Sequence, residues 1–231
     1  MKVFSISDLH LSTTVDKPMD IFGVNWENYF EKIKKSWEDK VNENDIVLIS
    51  GDISWGMKLD EAIPDLNEIG KLKGKKILIR GNHDYWWQSI SNIRKILPKD
   101  MYCLQNDAIK IENYIICGSR GWAVPEEDFK TEQDKKIFDR EYIRLELALK
   151  MANSMKEDGD KIIVMVHYPP FNSLCKNGYT DLFEKYNVNI CVYGHIHGEK
   201  CRSQKLIEKN NIKYYLTSCD QVDNTLVEID V

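Results

Sequence analysis

The chain has 231 residues, of which 32 are basic and 37 acidic, and its formal net charge is −5. That length is enough for one substantial core, so the sequence predicts a single domain over residues 1–231. The negative balance provides no general attraction to nucleic acid or to an anionic membrane surface, so a phosphate ligand must be attracted locally.

Five short, continuously apolar runs are predicted to be strands. They do not alternate with polar residues and are too short for buried helices, which is typical of strands that are covered on both faces. Each run ends directly in a polar motif, so side chains from separate strands are expected to converge at the carboxyl edge of a sheet. In chain order the runs are residues 3–7, 46–50, 76–80, 162–166 and 190–193.

Two amphipathic helices are also predicted. Trp26, Ile33 and Trp37 recur at helical intervals with charged residues on the opposite face, and residues 131–155 repeat the pattern up to a stop near Gly159. Because helices come early and strands late, we expect an α/β protein with a sheet-on-sheet core and helices outside. Shorter β segments are expected at residues 108–111, 114–117, 212–216 and 225–229.

Targeting signals and cysteines add two expectations. The first apolar run is too short for a secretory signal, and no later run approaches the length of a membrane span, so we expect a cytoplasmic protein. The cysteines show no C-x-x-C pairing and several lie in apolar runs, which favours buried, reduced thiols. They are Cys103, Cys117, Cys175, Cys191, Cys201 and Cys219.

All five histidines lie in short motifs at the ends of the predicted strands. Imidazole, carboxylate and amide oxygen are together the ligands that a two-metal hydrolytic centre needs. Asp52 is the candidate bridging ligand, and Asp8 and His10 are expected to point the same way from an extended segment. The motifs are Asp8-Leu9-His10, Gly51-Asp52, Gly81-Asn82-His83-Asp84, His167-Tyr168-Pro169-Pro170 and Gly194-His195-Ile196-His197.

This ordered set, D-x-H, G-D, G-N-H-D, H and G-H-x-H over residues 8–197, resembles the calcineurin-like metallophosphoesterase superfamily. The resemblance implies a four-layer α/β/β/α sandwich of two mixed sheets flanked by helices, with two divalent metal ions. Its pattern gives Asp8, His10, Asp52 and His197 to the first ion, and Asp52, Asn82, His167 and His195 to the second.

The same resemblance implies the catalytic roles. His83 corresponds to the histidine that contacts the phosphate and protonates the leaving group, and Asp84 would orient that imidazole and stabilise its charge. Hydroxide made available by the metals would attack phosphorus in line, without a covalent enzyme intermediate. The ligand types suit Mn, Fe, Zn or Ni, with Mn and Fe favoured, while so many histidines disfavour Mg and Ca.

The expected substrate is a small phosphomonoester or phosphodiester. Asn82 and Arg120, which lies in a glycine-flanked loop, are candidate phosphate contacts. Arg80 is either a third contact or a structural ion-pair partner. Trp55, Trp86, Trp87, Trp122 and Tyr168 lie near the motifs, either as a stacking wall for a flat leaving group or simply packed.

Three alternatives stay open. A metal-binding scaffold for protein partners is disfavoured because His83 and every ligand position are present. A protein phosphatase is disfavoured because residues 51–56 contain no arginine, and a nuclease because the net charge is acidic.

Overall fold

The structure is a computed structural model that describes residues 1–173, 178–198, 201 and 203–231. Two mixed sheets and five helices account for the regular structure of these residues, apart from short 3-10 turns. The strands are β1 (Val3–Ile6), β2 (Ile46–Ile49), β3 (Lys75–Leu78), β4 (Met101–Cys103), β5 (Asp107–Ile111), β6 (Tyr114–Gly118), β7 (Lys161–Met165), β8 (Ile190–Tyr193), β9 (Leu206–Lys209), β10 (Ile212–Leu216) and β11 (Val227–Ile229). The helices are α1 (Tyr29–Lys40), α2 (Leu59–Gly70), α3 (Ile90–Ile96), α4 (Glu132–Ser154) and α5 (Thr180–Lys185).

The strand order joins the two ends of the chain in one sheet. The first sheet runs β11-β1-β2-β3-β4, with β1 parallel to β2 and antiparallel to β11. The second sheet runs β5-β6-β7-β8-β10-β9, with parallel strands in its centre and an antiparallel strand at each edge. The five predicted strands are therefore neighbours within parallel sets, which brings their carboxyl ends to common edges.

Three apolar clusters define four layers. One side of the first sheet packs against α1, α2 and α3, and one side of the second sheet packs against α4 and α5. The third cluster lies between the sheets and joins alternate residues of both, such as Leu48 and Ile163. The predicted four-layer α/β/β/α sandwich is confirmed. Because every central strand is covered on both faces, the continuous apolar runs have a direct structural cause.

Two sequence expectations change in detail. Helices do not cluster early: α4 and α5 come after β6 and β7, as crossover connections between parallel strands require. The first helix begins at Tyr29, so Trp26 lies before it in a 3-10 turn and is still buried. Helix α4 follows the prediction closely, since the Thr131 hydroxyl accepts a hydrogen bond from the Asp134 backbone N–H and caps its first turn.

The structure also shows the burial of the cysteines and the character of the helices. Cys103, Cys117, Cys191 and Cys219 are buried and unpaired, as expected, while Cys201 is only partly buried and Cys175 lies outside the described residues. Across the part of the chain that the structure describes, none of the helices has the length and apolar character that a bilayer crossing requires.

Candidate metal centre

Loops that leave β1, β2, β3, β7 and β8 bring the motifs to one point. Asp8, His10, Asp52 and His197 each offer one potential ligand atom, and these four atoms lie within 4.8 Å of one another. His10 Nε2 is 3.7 Å from Asp52 Oδ2, and His197 Nε2 is 3.6 Å from Asp8 Oδ1. Ligand atoms around one ion about 2.1 Å away are about 3 to 3.5 Å apart, so a small closure fits an ion here.

A second group adjoins the first and shares Asp52. The carbonyl oxygen of the Asn82 side chain lies 2.8 Å from His167 Nε2 and 2.8 Å from His195 Nδ1. His167 Nε2 is also 3.3 Å from Asp52 Oδ2. All seven predicted ligand residues therefore meet, and the oxygen that both groups share is Asp52 Oδ2.

The His167 ring shows why this place favours a cation. Its Nδ1 lies 2.9 Å from the Ser50 carbonyl, which only accepts, so Nδ1 carries a proton. In the neutral ring Nε2 then carries a lone pair, which faces the side-chain oxygens of Asp52 and Asn82. Three electron-rich atoms in a buried site need a proton or a metal ion between them.

Buried polar atoms at the centre lack other partners. Among the described residues, Asp52 Oδ2 accepts no hydrogen bond although it is buried, and such an atom is costly unless a cation compensates it. The other oxygen, Oδ1, accepts a 2.7 Å hydrogen bond from the backbone N–H of His83. One carboxylate oxygen is thus engaged by the protein and the other is left for ligation, so the residues present fit a metal ion.

The site's electrostatics point the same way. Burial lowers the pKa of His10 to about 4 and the pKa of His195 to about 4, so both rings are neutral and able to bind metal near neutral pH. Burial would lower the pKa of His167 as well, but the Asp52 carboxylate raises it to about 9. For Asp52, burial acts to raise the pKa, and His167, His10 and the His83 N–H overcome it, which holds the pKa well below its ordinary value.

The backbone at the site is not extended. Asp8, His10, Asp52 and His195 all have positive φ, between 44° and 70°, a region that non-glycine residues adopt at a cost of about 1–3 kcal/mol each. The predicted extended geometry for Asp8 and His10 is therefore wrong, although the two side chains do reach the same site. The backbone turns sharply after each strand, and these turns direct the ligand side chains toward the site.

Asp84 has partners other than the predicted one. The fully buried carboxylate accepts hydrogen bonds from the backbone N–H groups of Asp52 (2.9 Å), Ile53 (2.8 Å), Ser54 (3.3 Å) and Gly81 (2.7 Å). It also accepts one from the Trp86 indole at 3.0 Å. Among its described contacts none is to the His83 ring, so Asp84 anchors the Asp52 loop. Burial raises the pKa of Asp84 to about 6, and these donors oppose the rise.

His83 lies at the rim. Its half-buried ring is 5.6 Å from the His10 ring and 4.9 Å from the Trp55 ring, measured between centroids. Burial lowers its pKa, with the Asp52 carboxylate opposing. The predicted aromatic wall is only partly present, because Trp86 and Trp87 are buried in the core. Trp55 stacks on the His10 ring, and the Tyr168 ring is 4.1 Å from that of His195.

Sequence reasoning missed Asp220. This buried carboxylate lies 3.9 Å from His197 Nδ1 and accepts a 2.8 Å hydrogen bond from the Gly198 backbone N–H. At this distance the carboxylate makes no hydrogen bond to the imidazole, but it places a negative charge behind the ring of a candidate metal ligand. The signal was present, because Asp220 belongs to a polar stretch that directly follows the β10 strand, as the other motifs follow theirs.

Gly81 provides a test of how tightly the site is packed. A Cβ atom at this position would overlap Asp52 Oδ1 and the Asp52 backbone nitrogen. We expect Gly81→Ala to lower the free energy of unfolding by about 3 kcal/mol or more, measured by urea denaturation. Gly159→Ala is the control, because its Cβ would meet nothing within 4 Å although its φ is 88°; it should cost about 1 kcal/mol. Equal costs would contradict the packing described.

Comparison with known proteins agrees with this geometry. A family model described as calcineurin-like phosphoesterase matches residues 1–199. Among solved structures, TT1561 of Thermus thermophilus is similar at a TM-score of 0.61 and 12% identity, covering 99% of this chain and 97% of that one. Protein AQ665 of Aquifex aeolicus, described as of unknown function, is similar at a TM-score of 0.51 and 15% identity, covering 98% and 95%.

At these identities the two structures show the fold alone, and the comparison with curated proteins gives no significant match. The family model, in contrast, covers most of the chain, including every motif named above. The chain therefore belongs to the calcineurin-like phosphoesterase family and is a metal-dependent phosphoric ester hydrolase.

Proposed function

We propose that the protein binds two divalent transition-metal ions and hydrolyses a small phosphomonoester or phosphodiester. The observation that carries this proposal is the pair of ligand groups that share Asp52 Oδ2. Asp8, His10, Asp52 and His197 would hold one ion, and Asp52, Asn82, His167 and His195 the other. Imidazole and carboxylate ligands suit Mn, Fe, Zn or Ni, and we favour Mn or Fe.

The chain's own residues divide the chemical work. Two ions, when bound, supply Lewis acidity that neutralises the phosphoryl oxygens and makes hydroxide available near neutral pH. His83, at the rim, would contact the phosphate and donate a proton to the leaving group. Asp84 holds the Asp52 loop by accepting hydrogen bonds from the N–H groups of Asp52, Ile53 and Ser54, so it acts on the reaction by positioning.

Substrate contacts are proposed at the rim. Trp55 is the partly exposed aromatic ring beside the ligand rings, and Trp122 packs on the buried Tyr168 next to His195, so a flat leaving group would lie against Trp55 or Trp122. Asn82 would orient the phosphate from within the centre. A cytoplasmic location and a single domain over residues 1–231 remain predictions, the latter supported by the pairing of β1 with β11.

The test is turnover of p-nitrophenyl phosphate and bis-p-nitrophenyl phosphate by Mn²⁺-loaded protein, compared with His83→Asn. The variant keeps the backbone N–H that Asp52 needs and loses the imidazole. We expect its kcat to fall by about 10²- to 10⁴-fold while the metal content, measured by elemental analysis, stays at two ions. Wild-type protein with two ions and no turnover of either ester would instead favour the scaffold alternative.

A further inference from the structure

A cavity of about 310 Å³ lies beside the proposed metal centre and contains an unusual concentration of arginine. Arg80, Arg120, Arg140 and Arg144 line it, and we call it the arginine pocket. The chain has six arginines, so four of the six line one cavity. Three separate parts of the chain contribute them: the loop after β3, the loop after β6, and α4. Such convergence is what binding a single anion requires.

The charges in the arginine pocket do not balance. Among the described residues that line it, Glu141 is the only one with an acidic side chain, and it is 1% exposed. One Glu141 oxygen is 2.7 Å from Arg144 and 3.9 Å from Arg120, and the other accepts a 2.7 Å hydrogen bond from the Ser119 hydroxyl. Glu141 therefore faces two of the four arginines, and the described side chains that line the pocket carry four positive charges against one negative charge.

Arg80 shows this imbalance most directly. Its Nε atom is buried and has no hydrogen-bond partner among the described residues. A buried donor without an acceptor is costly, and a bound oxyanion would satisfy it. The ion pairs of the described residues around the pocket leave this donor unsatisfied.

The arginine pocket is joined to the proposed centre by backbone. Arg80 directly precedes Gly81-Asn82-His83. The Arg120 carbonyl accepts hydrogen bonds from the backbone N–H groups of His167 (2.9 Å) and Tyr168 (3.2 Å). The Arg120 guanidinium also stacks over Trp122, with 4.9 Å between its central carbon and the ring centroid. Because none of the candidate metal ligands is among the described residues that line the pocket, an anion there would occupy a different place from a phosphoester at the metals.

We propose that the arginine pocket binds a phosphate-class dianion, separate from the phosphoryl group at the metal centre. Guanidinium groups match the oxygens of such an ion bidentately, and neutral donors from Gln88, Gln105 and Asn106 surround them. The ion is either a second phosphoryl group on the substrate or a free phosphate. The substrate version rests on the proposed function, whereas binding itself does not.

Binding is tested by equilibrium dialysis of Mn²⁺-loaded protein against radiolabelled inorganic phosphate. We expect two phosphate ions per wild-type chain and one per Arg140→Gln/Arg144→Gln chain. Arg140→Gln alone, an exposed change that spares the Glu141 pair, should weaken that site by about tenfold or more. Lys32→Gln/Lys35→Gln removes the same charge from exposed positions on α1 and should still bind two.

Phosphate binding by the double arginine variant that equals the wild type, with its fold verified by circular dichroism, would overturn the proposal. Asp52→Asn separates this failure from failure of the proposed function: a protein without a working metal centre should still bind the one phosphate that the double arginine variant loses.

The source of the ion is tested with alkanediol bisphosphates of increasing chain length and their matching monophosphates. If the second phosphate belongs to the substrate, the bisphosphate of one chain length should have a KM about tenfold or more below that of its matching monophosphate. The Arg140→Gln/Arg144→Gln variant should abolish this difference in KM. Lys32→Gln/Lys35→Gln should preserve it. No preference at any length would overturn the substrate version and assign the site to free phosphate.

Discussion

Replacing Asp52 by asparagine is expected to reduce bound metal from two ions to one or none and to lower hydrolysis by about 10³-fold or more. The amide is nearly the same size, and its oxygen can still accept the His83 N–H that Asp52 Oδ1 accepts now. What disappears is the negative charge at the oxygen that the two ligand groups share. Elemental analysis after gel filtration measures the first effect, and turnover of bis-p-nitrophenyl phosphate the second.

Asp39→Asn is the matched control, because it makes the same chemical change at an exposed position of α1. It should leave both readouts at the wild-type level. Retention of two tightly bound ions by Asp52→Asn would show that this carboxylate does not bridge them.

Replacing Asp84 by asparagine is expected to lower the free energy of unfolding by about 3 kcal/mol or more. The buried carboxylate accepts five N–H donors, two at Oδ2 and three at Oδ1. An amide has one accepting oxygen, so its NH₂ group would face either the donors of Asp52 and Gly81 or those of Ile53, Ser54 and Trp86. Urea denaturation of the metal-free protein measures the loss.

The result separates two roles for Asp84. A loop anchor should lose stability and metal affinity together, because the Asp52 turn loosens. A residue that only orients the His83 imidazole would leave unfolding unchanged and alter the pH dependence of kcat. Unfolding energies that match those of Asp39→Asn would contradict the anchoring role.

The sequence was informative where the local pattern and the global fold agree. Runs such as residues 46–49 are apolar on both faces because one face packs on helices and the other on the second sheet. Parallel pairing of those strands then carries the motifs to adjacent sheet edges, as their positions after the apolar runs predicted, whereas the full set of seven ligand residues came from the family resemblance. The apolar stripe over residues 131–155 likewise predicted α4, which runs from Glu132 to Ser154.

The features of the fold and site that the sequence did not predict depend on contacts that the spacing of residues along the chain does not encode. Asp84 follows His83 in the sequence, which suggested that the two side chains are partners. The chain turns, however, so that the Asp84 carboxylate accepts hydrogen bonds from the loop after β2. Helix α2 contains Pro64, and α3 has only seven residues, so neither presented a clear periodic pattern. Arg140 and Arg144 reach the arginine pocket from α4, far along the chain from Arg80.

The most direct test of the account is the anomalous X-ray scattering of Mn²⁺-loaded crystals. We expect two peaks about 3.5–4 Å apart. One peak should be within coordination distance of Asp8, His10, Asp52 and His197, the other should be coordinated by Asn82, His167 and His195, and Asp52 Oδ2 should contact both. A single peak, or peaks that Asp52 does not bridge, would contradict the dinuclear centre.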